Sequence, residues 1–263
     1  MLSKLIKYDL KPMLKFISVF YILGTIFAIL TRILFNIENS LIANIFGQIT
    51  TGATISMLIS ILINNTMRLW VRFKNTIYDD ESYLTHTLPV DKKDIYLSKF
   101  ISSVITLFIS FVVAIIIMFI AYYSKENLEL LKNLLLPLTN LLNLDLLKIL
   151  FIFIILVFLE LYCIIMSGYL GIIIGHKFNN KKLLMSIVFG FISYMFSQIF
   201  VLLTMLVYGL FNKDILSMFT SSNITDISLL LKLCYLSIIT YTLLIIANMI
   251  VSIKVFKKGV NVD

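Results

Sequence analysis

The chain has 263 residues, 60% of them hydrophobic and only 14% charged, with a mean hydropathy of +1.01. A soluble domain carries nearly twice that charged fraction, so composition excludes an ordinary water-soluble globule and points to a bilayer protein. The net charge of +8 does not indicate nucleic acid, because the basic residues are scattered in short segments at the ends of apolar runs.

The first fifteen residues, "MLSKLIKYDLKPMLK", are basic and amphipathic, with Lys4, Lys7, Lys11 and Lys15 ahead of an apolar run over 16–35. That run is longer than a signal-peptide core and no small-residue cleavage site follows it, so a retained first span is expected. Further apolar runs cover 41–66, 100–123, 149–175, 183–211 and 229–253. Each approaches or exceeds the roughly 20 residues needed to cross a hydrocarbon core of about 30 Å. The runs are continuous, not alternating, which predicts helices and excludes barrel strands. The expected fold is an all-α membrane protein with six transmembrane helices. No Gly/Ser- or Pro-rich linker, low-complexity tract or internal repeat interrupts the chain, so a single domain over 1–263 is expected. The three prolines, Pro12, Pro89 and Pro137, fall outside the apolar runs, and no proline kink is expected in a span.

Six spans bring the chain back to the side on which it starts. Placing both termini in the cytoplasm gathers Lys4 to Lys15, then Arg68, Arg72, Lys74, Lys92, Lys93 and Lys99, then Lys177, Lys181 and Lys182, and finally Lys254, Lys257 and Lys258 on the inner side. Only Arg32, Lys125, Lys132, Lys148, Lys213 and Lys232 are left outside. This asymmetry predicts a multi-pass protein of the plasma membrane with both termini cytoplasmic.

Between the second and third spans stands "YDDESYLTHTLPVDKKDIYLSK", residues 78–99. Asp79 and Asp80 can cap a short helix, and carboxylates suit its positive N-terminal end. Pro89 stops it, because the residue before a proline is pushed out of helical geometry. Asp91 then offers a fresh N-cap for the third span, with Asp94 completing an imperfect capping box. The pattern predicts a cytoplasmic helix of about eight residues, roughly 12 Å long, within 78–88.

"YLTHTLPVDKKDIYLSK" resembles the segment after the second span in permease subunits of type-2 ABC exporters, where a "TLPV" or "TPV" turn precedes basic residues and the third span. "YLGIIIGHKFNNKKLLMSIVFGF", residues 169–191, is similar to the fourth-to-fifth-span junction of such permeases from Gram-positive bacteria, and the six-span layout fits. The resemblance implies that the short helix is a coupling helix docking on a separate cytoplasmic ATPase subunit, through Tyr78, Asp79, Asp80, Glu81, Tyr83, Leu84, His86 and Leu88. It implies an interfacial connecting helix over 2–14 and a second permease subunit, identical or different. None of the nine glycines begins a G-x-x-x-x-G-K-[ST] cradle, so ATP and magnesium are expected on the partner and no cofactor or catalytic residue on this chain.

Glu160 falls inside the fourth apolar run, about 17 Å along a helix from Ile149 and so near the bilayer midplane. A carboxylate there costs about 3 kcal/mol on an insertion scale, which flanking Ile, Leu, Phe and Val residues at about 0.3–0.6 each offset. Two readings stand: a role in the translocation path or subunit contact, or a protonated structural hydrogen-bonder. Gln198 and Asn248 are candidate interhelical hydrogen-bonders, and Gly168, Gly171 and Gly175 a close-packing motif. Trp70 suits an interfacial belt. The segment 124–148 reads as amphipathic helices on the outer surface, broken by Pro137. Cys163 and Cys234 read as buried free thiols. His86 and His176 lack the companions of a zinc site, and no metal site is assigned.

These readings favour an exporter subunit moving a hydrophobic or amphipathic substrate, such as an antimicrobial peptide. The alternative is a non-transporting sensor or immunity scaffold that binds an antibiotic peptide. A membrane enzyme is disfavoured, because no span carries paired aspartates or a Ser–His arrangement.

Overall fold

The computed structural model describes residues 2–37, 40–142, 144–211 and 228–258, and among these every regular element is helical. In chain order they are α1 (Leu2–Phe35), α2 (Leu41–Ile77), α3 (Ser82–Thr87), α4 (Lys92–Tyr122), α5 (Lys125–Leu142), α6 (Leu146–Gly175), α7 (Lys182–Phe211) and α8 (Ser228–Lys257). The stretch 212–227, with Lys213, expected on the outer side, lies outside the described residues.

Helices α1, α2, α4, α6, α7 and α8 are long and apolar enough to cross a membrane. At about 1.5 Å per residue each is at least about 45 Å long, so its ends pass beyond a hydrocarbon core of about 30 Å. Their flanks leave large apolar side chains exposed, among them Ile22 on α1, Phe108 on α4, Phe196 on α7 and Ile239 on α8. Water would not tolerate such bands; acyl chains match them. The chain is a multi-pass membrane protein.

Contacts divide it into two compact units, Met1–Glu129 and Leu130–Asp263. In the first, α1 packs on α2 and α4, α2 also touches α4, and α3 rests on α2. Ala28, Ile61, Ile117 and Ala121 form its apolar centre. Hydroxyls tie the helices across this centre: Thr31 to Thr54 at 3.1 Å, and Tyr21 to Ser110 at 2.8 Å, where Asn65 Nδ2 also donates at 2.8 Å. In the second unit α6 is central, packed on α7 and α8. A Cβ added to Gly171 would stand 2.3 Å from the Gly190 nitrogen, and one on Gly175 2.3 Å from the Ser186 nitrogen. The backbones of α6 and α7 therefore approach to a distance only glycine allows. Gly168 faces Gly190 in the same contact, at ordinary van der Waals distance.

Several elements differ from expectation. The interfacial helix over 2–14 and the first span are one unbroken helix, with Pro12 inside it. The reason is a single buried stripe, Asp9, Met13, Ile17, Gly24, Ala28 and Thr31, that runs across the expected boundary at helical spacing. The second span continues eleven residues beyond 66 to Ile77, and the third begins at Lys92. The segment 124–148, expected as helices broken by Pro137, contains one long helix, α5, with Pro137 inside; its side chains are exposed or half-buried where described.

Candidate functional site

The end of the first unit that carries α3 is built where α2 outruns its apolar part. Residues 67–77 carry Arg68, Trp70, Arg72 and Lys74, and a turn over 78–81 leads into α3. At six residues α3 is too short to hold itself in helical form, so its neighbours must hold it. Ser82 is buried, His86 Nε2 donates to the Ile77 carbonyl at 3.0 Å, and Arg72 grips Glu81 at 2.5 Å. Leu88 takes the extended geometry (φ −64°, ψ 137°) that Pro89 demands, which stops the helix there.

The helix caps differ from the expected ones. Glu81, not Asp79 or Asp80, holds the N-cap position of α3, and it makes no side-chain cap bond. Asp79 is taken by Lys74 at 2.7 Å. Asp91 does sit at the N-cap of α4, again without a side-chain bond, so the capping box with Asp94 does not form.

Accessibility then sorts the expected docking residues. Tyr83 and Leu84 are 77% and 68% exposed, and Asp80 and Leu88 are also open. Tyr78 is 2% exposed, and burial pushes its phenol above the ordinary tyrosine range. It cannot face a partner, and its role is to anchor the turn. Asp79, Glu81 and His86 serve the frame through the bonds above.

Beneath α3 lies a cluster that composition alone hides. Asp9 of α1 and Lys99 of α4, both buried, form an ion pair; Ser98 Oγ donates to the same carboxylate at 3.4 Å, and Arg72 Nε stands 3.9 Å away. Through Arg72 the chain of charge runs Lys99, Asp9, Arg72, Glu81, so α1, α2, the base of α3 and α4 share one electrostatic knot. A buried pair is costly to desolvate but strongly resists losing one member. Two features of the sequence point to it. Asp9 is the lone acid in a basic segment, and Ser98, Lys99, Ser102, Ser103, Thr106 and Ser110 make a polar stripe at helical spacing, all buried.

In the second unit Glu160 of α6 is half-buried within the apolar run. The Tyr194 hydroxyl and Gln198 Nε2, one turn apart on α7, both donate to its Oε1, at 2.7 and 2.8 Å. The Tyr241 hydroxyl of α8 donates to Gln198 Oε1 at 3.2 Å and lies within reach of the carboxylate. Glu160 and Gln198 are thus brought together, with two tyrosines that the sequence pattern does not single out. The signal for one of them is Tyr194 and Gln198 at four-residue spacing in an apolar run. Asn248 is not joined to them: it lies seven residues past Tyr241, and its buried amide nitrogen has no partner among the described residues. His176 is buried at the end of α6, where Nδ1 donates to the Ile172 carbonyl at 2.8 Å. Cys163 is a buried free thiol and Cys234 a half-buried one.

Comparison with protein-family profiles, with curated proteins and with solved structures finds no match to this chain.

Proposed function

We propose that this chain is the transmembrane subunit of an ATP-driven exporter, working with a separate cytoplasmic ATPase and a second permease subunit. The observation that carries the reading is α3: a six-residue helix braced from beneath by ion pairs, presenting Tyr83 and Leu84 outward. A connecting turn would not need such bracing. A docking knob would, because a push on it must move the helices below and not bend the knob. In this reading both termini and α3 are cytoplasmic, as the lysine and arginine asymmetry supports. ATP and magnesium belong to the partner. Closure of the ATPase shifts α3, and the Glu81–Arg72–Asp9–Lys99 chain carries that shift into α2, α1 and α4. The substrate is hydrophobic or amphipathic, taken up along the six apolar helices.

The reading is tested by purifying the chain from its native membrane through a tag on the chain. Intact chain is expected to bring ATP hydrolysis with it, and the double substitution Tyr83→Ala, Leu84→Ala to lose most of it while the chain stays folded. Undiminished co-purification from the double variant would remove α3 from the docking role. Absence of any co-purifying ATPase would favour the immunity-scaffold alternative.

A further inference from the structure

We propose that the Glu160 cluster binds the positively charged head of an amphipathic organic cation, an ammonium or a guanidinium. The inference rests on the exporter reading for its purpose, and on α6, α7 and α8 for its chemistry.

Charge balance favours a cation here. Among the described residues no basic side chain pairs with Glu160. Along each of the three helices the basic positions are remote. Lys148 is twelve residues before Glu160 on α6, Lys182 twelve before Tyr194 on α7, and Lys232 nine before Tyr241 on α8, so the separations are at least about 13 Å along the axes. A carboxylate in an apolar belt is expensive without a counter-charge. The first unit shows how this protein neutralises a buried acid from within: Asp9 has Lys99. Among the described residues Glu160 has only neutral donors.

Geometry favours the same ligand. Tyr194 and Gln198 both donate to Oε1, which fixes the carboxyl group and its orientation, and Tyr241 fixes the amide of Gln198 in turn. Glu160, Tyr194 and Gln198 are only half-buried, so the cluster can be reached. A carboxylate with a half-buried phenol, Tyr194, beside it offers the pairing of anion and aromatic ring that recognises ammonium groups. One carboxylate with an amide and two phenols falls short of the oxygen-rich shell a divalent metal needs. Phe153, two turns before Glu160 on the same face of α6, is 64% exposed and offers an apolar surface for the rest of an amphiphile.

The test uses the full chain alone in nanodiscs of zwitterionic lipid. Its probes are a dansyl-labelled alkylammonium and the neutral dansyl-labelled alcohol of equal chain length, followed by fluorescence anisotropy. Intact chain is expected to prefer the cation by about tenfold or more, the scale of one charge-assisted contact. Glu160→Gln should bring the ratio to about one while leaving the neutral probe's binding in place, and Glu160→Asp should keep a preference. A second measurement needs no variant: carbodiimide labelling of Glu160, read by mass spectrometry, should be blocked by the cationic probe and not by the alcohol. A preference for the cation in Glu160→Gln as large as in the intact chain, or labelling indifferent to the cation, would overturn the proposal. No ATPase takes part, so this result and the docking result stand or fall separately.

Discussion

The two units use the same arrangement of three long helices, with the first helix central, yet they treat polar groups in opposite ways. In the first unit charges sit at the helix ends and are matched: Asp9 with Lys99, Glu81 with Arg72, Asp79 with Lys74. In the second, one acid sits in the apolar stretch with hydrogen bonds but, among the described residues, no cation. The packing differs as well. Hydroxyl and amide bonds link helices in both units, and α6 and α7 in addition meet backbone to backbone at Gly171 and Gly175. Matched charges make a stiff junction, suited to transmitting force. An unmatched one leaves attraction available for a ligand.

The largest effect should come from unmatching the first unit. Asp9→Asn or Lys99→Met strands the remaining buried charge and should cost about 3–5 kcal/mol in a denaturant titration of the detergent-solubilised chain. The double variant Asp9→Leu, Lys99→Met removes both charges and should recover most of that loss. If the single and double variants were equally unstable, the pair would not be acting as a matched unit.

Next in size is the glycine contact. Gly171→Val would drive side-chain atoms into the backbone of α7 and should lose about 1–3 kcal/mol or more. A Cβ added to Gly52 in α2 would meet nothing within 4 Å, so Gly52→Ala should change stability by less than about 0.5 kcal/mol. Similar losses at both glycines would erase the contrast between the units.

The smallest effect is expected at Tyr194→Phe, which keeps the ring and removes one donor to Glu160. Interhelical hydrogen bonds in membranes average about 0.6 kcal/mol, so thermal unfolding should barely move. The preference for a cationic probe should change more visibly, because the carboxylate loses part of its orientation.

Much of the architecture is legible in the chain because the bilayer imposes a fixed length. Six apolar runs become six long helices, and Pro89 marks the end of α3 through a local steric rule. The ends of the helices are less legible. Charge and hydropathy divide the first helix between its basic start over 2–14 and its apolar run over 16–35, but the stripe from Asp9 to Thr31 packs straight across that boundary. Within the site, Glu160 and Gln198 stand out as polar residues in oily surroundings, while Tyr194 and Tyr241 do not, since a tyrosine is inconspicuous among many aromatics.

The solvent, the number of spans and the position of the short helix were all readable from the amino acids, because each depends on composition within one continuous stretch. Folding in three dimensions was needed to bring residue 9 to residue 99, to bury Tyr78 while Tyr83 stood clear, and to gather donors from two other helices around Glu160 and its amide partner. Those outcomes depend on which faces of separate helices come together, and side-chain pairing across about 90 residues of chain leaves no trace in any local window.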